Sequence, residues 1–409
     1  MSQPLNVPDK VDVAVAGSGL VAHAAALALA QRGLSVALVG PQHAVPALDA
    51  GNYDARVFAL NAESRGLLQA LKAWPAQAAE RVQAVERMRV HAQGGQLSFD
   101  AYSAAQPALA WIVESSLLQQ ALQTAAAFHP TLHRVAAPAL AAPRVPGGSR
   151  IEWPGGALTC TLLVVADAAC VPLIAERHAW DVHDYHASAL VGTLRCERPH
   201  QATAWQWFDH RGDAQAPTPS VLALLPLAGP QQNFCSLVWS TPEASALAAL
   251  SPAMLADQLA VASAGALGEL MPVGELALWP LRRKLARQVR SEGVVLVGDV
   301  AHTVHPLAGQ GLNLALQDVQ VLAQVLGERE GFRSVADARL LRRYARSRAE
   351  QTAAIATLTH GLWQQQGIAS SAILSAAVKW GMSGIDQLPW VKREMVRHAQ
   401  GTGFVREGA

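Results

Sequence analysis

Apolar and polar positions change rhythm several times along the chain. Residues 11–16 (VDVAVA) form an apolar run that stops at a glycine. AHAAALALAQRG (22–33) then strings helix formers together, and LSVALVG (34–40) is a second apolar run. Strand, glycine turn, helix, strand is the order of a βαβ unit in a parallel sheet. Residues 52–72 read as a loop entering a helix, with Asn61 as the N-cap before AESRGLLQALKAW. VERMRVHAQGGQLSFD (85–100) reads as a hairpin turning at Gly94 and Gly95, 115–128 as a helix, and TLLVVAD (161–167) as a buried strand.

From about 183 to 280 the texture shifts. HASALVGTLRC, ATAWQWF, SVLALLPLAG and NFCSLVWST are strand-like runs separated by Pro, Gly and polar clusters, which predicts an antiparallel sheet. Trp205 and Trp207 alternate with Gln206 and so share a face, either lining an aromatic pocket or packing in a core. VVLVGD (294–299) returns to the buried-strand texture, and everything beyond 345 reads as helical. The expected fold is α/β. A discontinuous Rossmann-like domain (1–84, 105–178 and 283–345) receives a hairpin (85–104) and an antiparallel-sheet substrate domain (179–282), and a helical region (346–409) closes the chain.

With 409 residues and 51% hydrophobic content, a sizeable core is readily built. A charged fraction of only 15% suggests that some surface is covered by a partner or a membrane. The 32 basic and 31 acidic residues nearly cancel, leaving no electrostatic footprint for nucleic acid. Cys160, Cys170, Cys196 and Cys235 show no metal-ligand spacing and fit reduced thiols, so no metal site is expected. The N-terminus lacks a signal-peptide pattern and no run has the ~18 apolar residues of a spanning helix. A cytoplasmic location, at most peripheral to the inner membrane, is expected.

Gly17-x-Gly19-x-x-Ala22 sits between a strand and a helix, where glycines let the backbone approach a dinucleotide's pyrophosphate. The acid that should follow the second strand, to hold the adenosine ribose, is missing: Gly40 stands there. Residues 297–319, VGDVAHTVHPLAGQGLNLALQDV, are the chain's most distinctive stretch. Asp299 follows a buried strand directly, at the carboxyl end where such sheets bind ligands. Gly309, Gln310 and Gly311 precede a helix whose N-terminus suits an electron-rich ligand edge.

That stretch resembles the second flavin motif of the class A FAD-dependent aromatic hydroxylases, specifically the ubiquinone-biosynthesis hydroxylase family. DARVFALNAESRGLLQALKAW (54–74), WIVESSLLQQAL (111–122), LALLPL (222–227) and WPLRRKLA (279–286) extend the likeness over most of the chain. The departures are Gly40, Ser115 for an asparagine, Trp207 for an arginine, and VADAACVPLI (165–174). In that last segment Asp167 remains, but Ala168, Val171 and Ile174 replace a glycine, a serine and an arginine.

The resemblance implies FAD as cofactor and NAD(P)H as reductant, with dioxygen supplying the atom inserted into an aromatic ring, most naturally a polyprenylated phenol. Gly17, Gly19 and Ala22 would seat the pyrophosphate. Arg56 and Asp299 would grip the ribityl and phosphate region, with Gly309, Gln310, Gly311 and Asn313 at the flavin's pyrimidine edge. Pro306 would stand near the reactive carbon, with Pro306 and His305 as the catalytic candidates, and Asp167 where flavin and nicotinamide meet. Asp299→Ala should abolish flavin retention, and Gly40→Glu should tighten FAD binding. His302 and His305 stay open between proton transfer and packing, and His23 between a pyrophosphate contact and an ordinary buried histidine. The partners expected are a hydrophobic aromatic small molecule and either a membrane surface or a ubiquinone-biosynthesis complex. A second reading, prompted by the altered cofactor motifs, is a non-catalytic accessory subunit of such a complex.

Overall fold

The computed structural model describes residues 7–45, 53–92, 95–211, 218–305 and 309–368. Pro306, the expected hairpin turn at Gly94 and the chain from 369 onward, with Trp380 and Trp390, lie outside the described residues.

Two sheets dominate. In the first, the parallel order is Val294–Leu296, Gly156–Val165, Lys10–Ala16, Val36–Val39, Leu132–Val135. Period-two alternation gives each strand two buried faces. Val13, Val15, Leu162 and Val164 meet the Leu20–Ala30 and Gly311–Gly327 helices. Ala14, Ala16, Leu163 and Val165 meet Ile151, Leu158 and Ile174 on the other side. The first helix is built almost wholly of Ala and Leu, and it is buried along its length from Ala22 to Ala30. Small side chains there let it pack closely between neighbouring elements.

The register matters for function. Ala16 pairs with Val165 and with Val39, and Val165 pairs with Leu296. The segments that leave these strands, at Gly17, Gly40, Asp167 and Asp299, are therefore delivered to one edge of the sheet. That edge is the carboxyl edge, where open α/β sheets hold ligands.

The second sheet runs His302–Thr303, Leu270–Ala286, Trp180–Cys196, Phe234–Thr241, Thr218–Pro226, Thr203–Arg211, Arg87–Ala92, Gly95–Asp100. Every pairing is antiparallel except Thr203–Arg211 with Arg87–Ala92. One face carries Leu190, Leu194, Leu222, Leu224, Leu237 and Trp239 into a core closed by helices Ala244–Ala248 and Pro252–Ala262. The opposite face carries Ala189, Val191, Phe208, Val221 and Val238 and meets Trp363 of the long helix Ala338–Ile368. A small sheet of Val57–Leu60, Ala110–Glu114 and Gln83–Val85 bridges the two large ones. Asn61 caps the following helix as its sequence position predicts, its side chain accepting from the Ser64 N–H at 2.9 Å. Among the described residues no helix is long and apolar enough to cross a membrane.

Candidate active site

The glycine turn is held from below. Gly17 turns the chain at φ +148°, in the region that favours glycine. The Asp167 carboxylate accepts from the Ser18 backbone N–H, from Gly19 N–H at 3.0 Å and from the Ser18 hydroxyl at 3.2 Å. A Cβ on Gly17 would stand 2.8 Å from Asp167 Cγ and 3.0 Å from the Ala22 methyl, and one on Gly19 would stand 3.1 Å from Asp167 Oδ1. Gly17 is thus favoured by conformation and by close approach, and a side chain at Gly19 would press on the Asp167 carboxylate. Asp167, assigned by resemblance to the junction of flavin and nicotinamide, instead braces the turn. Helix geometry leaves the N–H groups of Leu20, Val21 and Ala22 without intrahelical partners beside that turn. The cradle fits the diphosphate of FAD.

The second strand ends differently from expectation. A Cβ on Gly40 would lie 2.3 Å from the Gly17 carbonyl oxygen and 3.1 Å from the Ser18 nitrogen. The expectation that Gly40→Glu tightens FAD binding is therefore corrected: backbone fills the space that any side chain would need.

Residues 297–305 and 309–319 form the opposite wall. Gly298 adopts φ +66° with Val21 side-chain atoms 3.1 and 3.3 Å from where a Cβ would be. Asp299 is exposed at the mouth of the cleft yet crowded by neighbouring protein. Desolvation pushes its carboxyl above the usual range, opposed by Arg56 and His302. The Arg56 guanidinium lies 5.0 Å from the Phe58 ring centre and 5.6 Å from that of Trp279, which projects from the substrate sheet and is half exposed. A cation, an acid and two aromatic faces thus converge where the two sheets meet.

Gly309, at φ +59°, and Gln310 lead into the helix beginning at Gly311. Asn313 does not present its side chain to the cleft. Its Oδ1 accepts from Asn61 N–H at 3.0 Å, and its Nδ2 donates to Ala59 O at 2.8 Å and Gly309 O at 3.3 Å. It is 2% exposed and its side chain is engaged by these bonds, which hold the glycine turn in place.

The two histidines of the motif part company. His302 Nε2 lies 2.6 Å from the fully buried Asp318 carboxylate, which also accepts from Gly298 N–H at 2.8 Å and Arg348 Nε at 2.6 Å. Burial alone would raise the Asp318 carboxyl, but His302, Arg348 and the Gly298 N–H outweigh it and hold it below the usual range. His305 is sealed among aromatic rings, 4.9 Å from Tyr185 and 4.5 Å from Trp363 between ring centres. Among the described residues neither of its nitrogens has a hydrogen-bond partner, and burial together with His360 pushes it down to about 3. In this arrangement the ring stays neutral near pH 7.

Trp205 and Trp207 stack in parallel at 5.8 Å, continued by His91 at 5.6 Å from Trp207, on the sheet face covered by helices. They belong to that core and not to the cleft. His23 is buried, its Nδ1 3.0 Å from the Gly19 carbonyl.

Sequence reasoning missed the brace behind Arg56. Arg81 grips the buried Glu114 carboxylate with two bonds of 2.8 Å. Glu114 also accepts from Asp54 N–H at 2.7 Å, and Asp54 accepts from Arg56 N–H and Ser116 N–H at 2.9 Å each. Glu114 lay inside a quoted motif, but Arg81 carried no local signal. Among the described residues no group of His, Cys, Asp or Glu side chains is placed to hold a metal ion.

A parallel sheet with a Gly-x-Gly cradle, an Asp-bearing second wall and an antiparallel sheet facing the cleft defines a flavin-dependent monooxygenase fold. Comparison with known proteins agrees. A family described as an FAD binding domain matches residues 166–359. The 3-demethoxyubiquinol 3-hydroxylase of Escherichia coli (strain K12) is 33% identical over 324 residues, 77% of this chain and 79% of that protein. Ubiquinone hydroxylase UbiL of Rhodospirillum rubrum is 31% identical over 406 residues, 96% of this chain and 90% of that protein. The crystal structure of PqsL, a probable FAD-dependent monooxygenase from Pseudomonas aeruginosa, superposes with a TM-score of 0.72 at 20% identity. It covers 91% of this chain and 100% of its own, a likeness of fold. The chain belongs to the FAD-dependent hydroxylases of ubiquinone biosynthesis. It is a flavoprotein monooxygenase with FAD as cofactor and NAD(P)H as reductant.

Proposed function

We propose that this chain hydroxylates the ring of a polyprenylated phenol or quinol intermediate of ubiquinone biosynthesis. One observation carries the reading. The substrate sheet leaves an apolar face of Val191, Phe208 and Val238 only half buried beside Trp363, on the side opposite helices Ala244–Ala248 and Pro252–Ala262. Trp279 stands on that same side, beside Arg56. An apolar face of this kind takes a hydrophobic ring and excludes water around it.

Bound FAD, once reduced, supplies the activation of dioxygen, and the chain's own residues position the reactants. Gly17, Gly19 and the first turn of the Leu20–Ala30 helix hold the diphosphate, with Ala22 keeping the turn compact. Arg56 and Asp299 bind along the cofactor's length, and Gly309, Gln310 and Gly311 offer backbone N–H groups to its electron-rich edge. By the resemblance, Pro306 would stand near the reactive carbon. His305 keeps the adjoining wall apolar and neutral. A polyprenyl tail is poorly soluble in water, so substrate reaches the cleft from a membrane surface or from a neighbouring protein of the same biosynthetic complex.

The test is turnover of a short-chain polyprenyl phenol with NAD(P)H and ¹⁸O-labelled dioxygen, followed by mass spectrometry. Gain of one labelled oxygen on the ring supports the reading. NAD(P)H consumption with an unlabelled product defeats it.

A further inference from the structure

The ribose end of the cradle has acquired a different chemistry from the one a dinucleotide fold usually presents there. A carboxylate after the second strand normally accepts hydrogen bonds from the ribose hydroxyls. Here the Gly17 carbonyl bars a side chain at Gly40. The cleft beside it is lined by Gly17, Ser18, His23, Gln42, Gln123 and Arg134 among others, and none of its lining residues is acidic. Arg134 comes from the strand Leu132–Val135, in register with Leu38 of the neighbouring strand, and is half buried. Among the described residues its side chain makes no ion pair or hydrogen bond. The nearby Asp167 carboxylate is already committed to Ser18 and Gly19.

His23 adds no second cation. Its Nδ1 faces the Gly19 carbonyl, which only accepts, so the proton sits on that nitrogen. Burial, with Arg134 beside it, holds the ring below its ordinary value. Among the described residues the site therefore offers the Arg134 guanidinium without a partner. A guanidinium has five donors and no acceptor. It matches a phosphate in a two-pronged contact far better than it matches a pair of hydroxyls.

We propose that this end of the cradle is a phosphate subsite that accepts 2′-phosphorylated adenine nucleotides, with Arg134 as the recognising group. The proposal rests on the reading of the glycine turn as the diphosphate cradle. Its consequence is that a 2′-phosphorylated nicotinamide nucleotide competes with FAD for the cradle, which its unphosphorylated counterpart does poorly.

The experiment titrates FAD into the full-length protein, followed by flavin fluorescence, in the presence of adenosine 2′,5′-bisphosphate or adenosine 5′-monophosphate. The bisphosphate should compete about tenfold more strongly, the worth of one charge-assisted contact. Arg134→Gln should bring the two competitors to parity, and Arg134→Lys should keep part of the preference. A ratio of affinities is the readout, so partial loss of folded protein leaves it unmoved. FAD binding with equal competition in the unaltered protein, or a preference that survives Arg134→Gln, overturns the subsite alone. Failure of FAD and both nucleotides to bind overturns the cradle and the subsite together.

Discussion

Asp318 and His302 meet at 2.6 Å in a position where neither has access to water, with Arg348 on the carboxylate's other oxygen. This contact fastens the turn carrying Asp299 to the Gly311–Gly327 helix, and Arg348 fastens both to the long helix that follows. The turn's placement at the cleft is therefore a tertiary property. Asp318→Ala leaves Arg348 as an unpaired buried cation, and breaking such a pair costs about 3–5 kcal/mol. Urea unfolding should show a loss of that size together with loss of bound flavin. A variant within 1 kcal/mol of the parent would mean that the network is not structural.

His305 gives a pH dependence of defined sign. Its folded value of about 3 lies below the ordinary value of 6.5, so the unfolded chain binds the extra proton between those limits. The stability it contributes is complete above pH 6.5 and is lost as pH falls toward 3, by up to about 1.4 kcal/mol per pH unit. His305→Phe should flatten unfolding free energy against pH within that window. An unchanged slope would show that other groups dominate acid lability.

Asp299→Ala removes the acid facing Arg56 at the cleft. Charged hydrogen bonds are worth roughly 1.5–3 kcal/mol, so the FAD dissociation constant should rise about 10- to 150-fold. Absorbance of the purified variant near 450 nm, before and after adding FAD, measures this directly. Full flavin content without added FAD would remove Asp299 from the binding site.

Gly40→Glu tests the ribose end from the steric side. Forcing a side chain against the Gly17 carbonyl should destabilise by about 1–3 kcal/mol and weaken FAD binding. Thermal unfolding and an FAD titration of the same preparation report the two effects. Tighter FAD binding would mean that the turn can move aside for a carboxylate at this position.

Much of the architecture was legible because periodicity is local. The βαβ opening, the Asn61 cap, the antiparallel stretch and the buried strand before Asp299 follow from patterns spanning only a few turns or one strand. The glycine cradle and the 297–319 motif were legible for a similar reason, since close backbone approach demands glycine at fixed spacing. What chain sequence alone determined is therefore the set of elements, the family and the residues able to approach a flavin.

Only the tertiary structure decided what those residues do with their side chains. Asp167 went to the turn, and Asn313 went to bracing. His302 took a buried carboxylate, while His305 took a dry aromatic box. Trp205 and Trp207 faced the helices and not the cleft, because alternation fixes a shared face without saying which layer covers it. Arg81, Arg134 and Arg348 matter through partners or clefts formed by residues distant in the chain. Hydrogen bonds and desolvation depend on what packing brings within a few ångströms, and no local pattern encodes that proximity.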